Sequence, residues 1–223
     1  MLRSMEESRQ FIMREINSLG LNDGSIRRTM VFPMARVKPM YIKDYPVFHF
    51  GYEGVLPPYD VEDHDYNAMI RQYYYSATFD SYDYSKLLLP VIDKATIIIA
   101  HYFSDMTVRD LDNRNGQYIQ DAIKLTGIIK DDNWQNVWNS DIAFYDKNGS
   151  HVQVYVVPTE NYPHFIGYLI KKHEELKKEL DDLPKISAYE KKFIEYQRKK
   201  EQEEALKIEK RKAKLEQEEK MFF

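Results

Sequence analysis

The chain has 223 residues, of which 43% are hydrophobic and 30% charged, with a formal net charge of −4 and no cysteine. This length and composition predict one ordinary domain with an additional segment. The lack of cysteine excludes a disulfide framework, thiolate zinc sites and a cysteine nucleophile, and it fits a cytoplasmic protein. The negative net charge means that any nucleic-acid binding must depend on local basic patches.

The first part of the chain is predicted to contain a helix and short strands. Residues 1–19 place apolar side chains at helical spacing before Gly20, which predicts a short amphipathic helix. Prolines then interrupt short apolar pieces such as residues 46–50, a pattern typical of edge strands or of strands that begin beside a proline. No apolar run follows the N-terminal charges or is long enough to cross a bilayer, so we expect neither a signal peptide nor a membrane span.

A tyrosine-rich region follows. More than half of the chain's 18 tyrosines lie in residues 41–84. Aromatic rings can stack on unpaired bases, but they also build cores and interfaces, and the second use is the favoured interpretation. The acidic residues within 60–65 lack the glycine and the distal glutamate of a calcium loop. We interpret them as the start of a helix over about residues 65–75, where acidic side chains are favoured.

The middle of the chain has the clearest secondary-structure pattern. A continuous β-branched run over residues 95–103 predicts a strand that is covered on both faces. Apolar spacing over residues 114–126 predicts a helix, with Asn113 as its cap and Gly127 as its terminator.

Two further strands are predicted to form a hairpin. Residues 137–145 are one arm, residues 146–149 are the turn, and the alternating valines of residues 152–156 mark the other arm. Together with the preceding strand and helix, they predict an α/β (α+β) fold, in which a small mixed sheet carries packed helices.

The last sixty residues change in character. Residues 164–183 predict a helix, and residues 185–220 are mostly Glu, Lys, Gln and Arg. Over residues 161–223 the 16 basic and 14 acidic residues nearly balance. This balance argues against a polycationic DNA-binding arm, and the apolar seam is too short for a firm coiled-coil assignment. Two interpretations of this segment remain. It is either a solvated helix with ion pairs or a segment that orders when it binds a protein partner.

Candidate chemistry is concentrated in residues 109–137. Asp110 and Asp112 stand two residues apart, and Asp131 and Asp132 follow the predicted helix. If the first pair is extended, both of its carboxylates share a face, and their convergence with the second pair would hold one or two magnesium ions. Such an ion polarises a phosphodiester and lowers the pKa of bound water. The alternative to a metal site is that these paired aspartates form only turns or helix caps.

The order of these motifs resembles the RusA-type Holliday-junction resolvases. The resemblance rests on the run Arg-Asp-Leu-Asp-Asn at residues 109–113, on Asp121-Ala122-Ile123 within the helix, and on the acidic pair at residues 131–132 before the predicted hairpin. It covers about residues 93–160. It implies a small α/β domain that dimerises about a two-fold axis, binds four-way DNA junctions and makes paired nicks that depend on magnesium, with manganese as an alternative.

The resemblance also implies roles for individual residues and a division of the chain. It assigns catalysis and metal binding to Asp110, Asp112 and Asp132, with Asn113 and Asp131 in support. Residues 1–160 would form the nuclease domain, with an N-terminal helix and a tyrosine-rich insertion around the core at 93–160. Residues 161–223 would form a charged helical extension that is a candidate docking segment for a protein partner.

One departure from the family pattern concerns a basic residue. The family commonly has a lysine shortly after the Asp-Leu-Asp-Asn run, where this chain reads Arg-Asn-Gly-Gln at residues 114–117. Arg114, Lys124 and Lys130 are candidates to replace it, and with Arg109 they are the predicted DNA contacts. The missing lysine leaves open an alternative function, a junction-binding or scaffolding protein with weak or no catalysis.

Overall fold

The computed structural model describes residues 36–59, 64–88 and 91–191, together with scattered helical residues between 194 and 211. The helix predicted over residues 1–19 lies outside the described residues. The main elements, in chain order, are β1 (Met40–Ile42), β2 (Tyr45–Glu53), α1 (His64–Asp80), β3 (Ala95–Phe103), α2 (Gln117–Thr126), β4 (Val137–Tyr145), β5 (His151–Pro158) and α3 (Tyr162–Leu176).

The described residues contain a five-stranded mixed sheet in the order β1-β2-β5-β3-β4. β3 is parallel to β4 and antiparallel to β5, and β5 is antiparallel to β2. Every residue of β3 is buried, as its continuous β-branched run predicts for a strand covered on both faces. The predicted α+β class, a mixed sheet with packed helices, is confirmed.

The predicted hairpin is wrong in its pairing, although its strands and its turn are present. β3 lies between β4 and β5, so the two arms do not pair with each other. Residues 146–149 pass over the end of β3, where the Asp146 amide donates to the Phe103 carbonyl at 2.9 Å. The alternating valines correctly predict the strand β5. They do not indicate which strand pairs with β5, since β5 is buried on both faces.

α3 covers one face of the sheet and extends the folded unit past residue 160. Phe165 and Leu169 of α3 are fully buried in a core cluster with residues of β2, β3 and β5. The compact unit therefore continues to Lys185. Pro163 lies in the first turn of α3, where its missing amide hydrogen costs nothing.

The tyrosine-rich helix α1 belongs to the core. Tyr73 and Tyr74 are buried, and α1 packs against α2 and β2. β1 pairs only with the first residues of β2, which leaves part of the β2 edge open. The His49 amide donates to the Tyr82 hydroxyl at 2.9 Å and the Glu53 amide donates to the Tyr73 hydroxyl at 2.6 Å. These hydroxyls accept hydrogen bonds from amides at the edge of β2, so for these buried tyrosines the structural interpretation is confirmed.

Residues 186–223 form a second unit. Residues 186–191 are helical, and so are the residues described between 194 and 211. For these residues the structure agrees with the predicted helical extension.

Candidate functional site

The candidate residues lie on one β-α-β unit made of β3, α2 and the parallel strand β4. A long loop over residues 104–116 leads from the end of β3 back over the sheet to the start of α2. A Cβ atom at Gly116 would lie 2.7 Å from Ile99 Cδ1, so a larger residue there would force the buried Ile99 side chain to move. α2 ends at Gly127 in the left-handed conformation (φ 78°), as its sequence predicts.

The N-terminal cap of α2 differs from the prediction. Residues 111–114 form a turn in which the Arg114 amide donates to the Leu111 carbonyl at 3.1 Å. Asn113 belongs to this turn and is exposed, so it does not cap α2. The N-cap residue is Gly116, and Asn115 just before it accepts a 3.0 Å hydrogen bond at Oδ1 from the Gln117 amide. Since the same turn contains Asp112, the chain is not extended from Asp110 to Asp112, and the expectation that both carboxylates share a strand face is wrong.

Asp110 and Asp112 are exposed. Among the described residues neither carboxylate has a hydrogen bond or an ion pair. Both are therefore accessible to a ligand from solvent, and no described residue holds either carboxylate in position.

The second acidic pair is engaged by a lysine of α2. Lys124 Nζ lies 2.6 Å from Asp132 Oδ1 and 3.2 Å from Asp131 Oδ1. Partial burial acts to raise the pKa of Asp131, but hydrogen bonds from Lys124, the Asp132 amide and Asn133 outweigh it and hold that pKa below its ordinary value. Of the three cations that could replace the family's lysine, Lys124 is the one in contact with the acidic pair.

Helix α1 places two further polar residues, Arg71 and Tyr75, near α2. Burial, together with the charge of Asp132, raises the pKa of Asp121. Arg71 of α1 lies with its Cζ 5.4 Å from the centre of the Tyr118 ring. Burial and the nearby Asp121 raise the pKa of Tyr75 to about 12. Sequence reasoning missed Arg71 and Tyr75, because they come from a helix far upstream and no spacing pattern links them to α2.

The predicted convergence of the four aspartates is not seen. Asp110 and Asp112 precede α2 whereas Asp131 and Asp132 follow it, and a ten-residue helix is about 15 Å long. Within the part of the chain that the structure describes, no three His, Asp or Glu side chains form a group that could hold a metal ion. The oxygen donors are of the type that magnesium prefers, but in this arrangement they do not fit a single ion.

The predicted DNA contacts have different surroundings. The two terminal guanidinium nitrogens of Arg109, Nη1 and Nη2, each donate to Asp105 at 2.8 Å. Arg114 Nη1 donates to the Leu56 carbonyl at 3.1 Å. Lys130 is exposed, and in the described residues no hydrogen bond or ion pair engages it. Lys130 is therefore the predicted contact whose charge is most available to a phosphate.

No protein-family model matches this chain, and no curated protein is significantly similar to it. None of the helices in the described residues has the length and apolar character needed to cross a membrane. The resemblance to RusA-type resolvases thus stays a prediction that rests on the residues and their order.

Proposed function

We propose that this chain is a magnesium-dependent endonuclease that nicks branched DNA, with the four-way junction as its substrate. Asp110, Asp112 and Asp132 are the proposed catalytic carboxylates, and manganese is an alternative ion. The observation that carries the proposal is the ordered placement of the acidic residues on one β-α-β unit, with the first pair before α2 and the second pair after it.

The chemistry of the exposed residues supports a phosphodiester substrate. The Asp110 and Asp112 carboxylates are open to solvent, so a DNA strand and its counterions can reach them. Lys124 contacts the acidic pair, and it supplies a positive charge beside Asp132. A lysine in this position offsets charge on a phosphate as it does on a carboxylate.

Magnesium, when bound, would polarise the scissile phosphate and activate a water molecule. Because Asp110 and Asp112 form no ligand group with Asp132 in the described residues, we assign no metal-bridged step between them. The contribution of the chain's own residues is to present carboxylates at two ends of α2 and a lysine beside the second pair.

The remaining parts of the proposal concern partners and location. A four-way junction has near two-fold symmetry, and a homodimer would offer it two equivalent sites. Phosphate contacts would supply most of the affinity, which would fall steeply with salt. The chain's lack of cysteine fits a cytoplasmic setting.

One observation favours a second function, a junction-binding protein without turnover. Lys124 contacts both Asp131 and Asp132. A cation would have to compete with this lysine for the pair. A protein that keeps this ion pair when DNA binds would recognise the junction and leave it intact.

The test is a nicking assay on a panel of labelled substrates: four-way junction, replication fork, flap and linear duplex, each with magnesium or manganese. The proposal predicts nicks in the four-way junction by the wild type, and a loss of about a thousandfold or more in Asp112→Asn. Asp93→Asn is the matched control, because Asp93 is also an exposed loop aspartate. It should nick like the wild type.

The outcomes separate the two functions. Binding of the junction without nicking in either metal would support the second function. Equal nicking by Asp112→Asn and the wild type would remove Asp112 from the catalytic site. If the protein nicks flaps or forks faster than the four-way junction, the preferred structure is the substrate and the four-way junction is not.

A further inference from the structure

The outer edge of β2, on the side away from β5, has one backbone amide without a partner. β1 pairs with residues 45–47, and the amides of His49 and Glu53 donate to tyrosine hydroxyls. Because the backbone groups of an antiparallel strand point alternately to either side, the Gly51 amide between them also points outward. Gly51 is buried, and no hydrogen bond of the described residues uses its amide. Such an amide takes its acceptor from water or from a ligand.

Arg36 lies beside the same edge. Its amide donates to the Ser81 carbonyl at 3.0 Å, and its carbonyl accepts from the Asp83 amide at 2.9 Å, which places it next to Tyr82. The Tyr82 hydroxyl is the one that accepts from the His49 amide, at 2.9 Å. The Arg36 side chain is exposed, and no carboxylate in the described part of the chain pairs with it.

Lys178, which follows the end of α3, extends over Gly51. A Cβ atom placed on Gly51 would lie 3.1 Å from Lys178 Cδ. The backbone of Lys178 is held by the buried Gln153: its amide donates to Gln153 Oε1 and its carbonyl accepts from Gln153 Nε2, each at 3.2 Å. The Lys178 side chain is partly buried, and within the described ranges its ammonium group has no hydrogen bond or ion pair.

The charges of Arg36 and Lys178 act on each other and are poorly balanced. Burial and the charge of Arg36 lower the pKa of Lys178 to about 8, and the carboxylate of Asp182 acts in the opposite direction. Burial and both of these cations also hold the pKa of His49 well below its ordinary value, against a hydrogen bond with Gln153. The His49 ring is therefore neutral. An anion bound between the two cations would stabilise the charged form of Lys178.

We propose that Arg36, Lys178 and the Gly51 amide bind a phosphate group carried by a small molecule. We call these three residues the edge site. Arginine offers phosphate a planar fork and lysine offers it a point charge, and outward backbone amides form part of many phosphate sites.

The position of the edge site favours a small ligand over DNA. Because Gly51 is buried, a single phosphate group can approach its amide, whereas the backbone of a duplex is too wide to do so. None of the three residues belongs to the β-α-β unit that carries the acidic residues. The edge site is therefore a second site, and it does not rest on the proposed function.

The first experiment is a calorimetric titration of the full chain with inorganic phosphate. Arg36→Gln and Lys178→Gln each remove one charge. Lys147→Gln is the matched control, because Lys147 is an exposed lysine in the turn after β4 with no ion pair among the described residues. We expect each test variant to bind phosphate about tenfold more weakly or worse, and the control to bind as the wild type does. Thermal unfolding without phosphate checks that every variant is folded.

The second experiment uses the titration of Lys178. Sulfate keeps its charge throughout the neutral and alkaline range, so a change in its affinity with pH reports on the protein. Sulfate binding should weaken as the pH rises through about 8, where Lys178 loses its proton. Lys178→Arg stays charged, so its affinity for sulfate should not fall over the same range. A wild-type affinity that is independent of pH would remove Lys178 from the site.

The outcomes also separate the edge site from DNA binding and from nicking. If the wild type binds no phosphate at millimolar concentration, or if either test variant binds it as the control does, the edge site is overturned. If duplex DNA displaces phosphate and binds more weakly to both test variants, the ligand is a DNA phosphate and the assignment to a small molecule is overturned. Phosphate binding should be unchanged in Asp112→Asn, so the edge site and the proposed nuclease can fail separately.

Discussion

Two lysines of this protein each contact two carboxylates, but they do so in different environments. Lys177 pairs with Asp146 and Glu174, and the Lys177 and Asp146 side chains are only 5% and 4% exposed. Lys124 pairs with Asp131 and Asp132, and in that group each side chain is about one third exposed. The comparison separates an ion pair that the fold depends on from one that remains available to a ligand.

The buried ion pair of Lys177 and Asp146 stabilises the end of the sheet. Asp146 follows β4, and its Oδ1 accepts a 3.0 Å hydrogen bond from the Asn148 amide in the turn over β3. His151, at the start of β5, lies with Nδ1 4.0 Å from Asp146 Oδ2. Lys177, just after α3, therefore neutralises a carboxylate on which the turn between two strands depends. Lys124 also pairs with a carboxylate that accepts a backbone hydrogen bond, from the Asp132 amide to Asp131 Oδ1 at 2.9 Å, but that group is partly exposed.

The largest effect is expected from Lys177→Met. This change leaves Asp146 buried without its cation, and breaking a buried ion pair costs about 3–5 kcal/mol. Urea unfolding should show this as a lower midpoint with an unchanged slope. Lys172→Met is the control, because Lys172 pairs with Glu175 at 2.6 Å on the surface nearby. A loss that is equal in both variants would contradict the structural role of Lys177.

A second, smaller effect is expected in the dependence of stability on pH. Burial acts to raise the pKa of Asp146, but the hydrogen bonds from Lys177 and the Asn148 amide outweigh it and hold that pKa below the ordinary 3.8. The folded pKa is thus below the unfolded pKa. The stabilisation is fully present above about pH 4 and is lost as the pH falls through the folded value.

The measurement is the free energy of unfolding between pH 5 and pH 2. It should fall with pH more steeply in the wild type than in Asp146→Asn, which has no carboxylate at this position to protonate. Equal slopes for the two proteins would show that the Asp146 contact does not contribute to acid sensitivity.

The smallest effect on stability is expected from Lys124→Met. Ion pairs that are partly exposed contribute about 1 kcal/mol or less, so the free energy of unfolding should change by no more than that. Junction binding should weaken in Lys124→Met, and Lys130→Met should weaken binding to all DNA and lower its salt dependence. A loss of stability as large as that of Lys177→Met would place Lys124 among the structural residues and end the contrast between the two lysines.

Local pattern was enough to predict much of this fold. The bounds of β3 follow from its β-branched run, the end of α2 follows from Gly127, and the turn at residues 146–149 follows from its composition. Each of these features depends on neighbouring residues alone. The pairing of β4 with β3 depends on which strand occupies the centre of the sheet, and the alternation of apolar residues carries no such information.

The candidate site was predicted less completely for the same reason. The contact of Lys124 with Asp132 spans eight positions across the turn at Gly127, and sequence reasoning offered Lys124 only as one of three candidates. Arg109 is a predicted DNA contact, and its ion pair with Asp105, four residues before it, was not predicted. Asn113 is the predicted helix cap, but it lies in a turn at residues 111–114 that no strong local signal indicates.

The most direct test of the central claim asks whether nicking needs the acidic residues on both sides of α2. Nicking and binding of a four-way junction would be measured for the wild type, Asp112→Asn and Asp132→Asn. The account predicts that each variant still binds the junction and loses about a thousandfold or more of the nicking rate. Nicking by either variant at the rate of the wild type would contradict it.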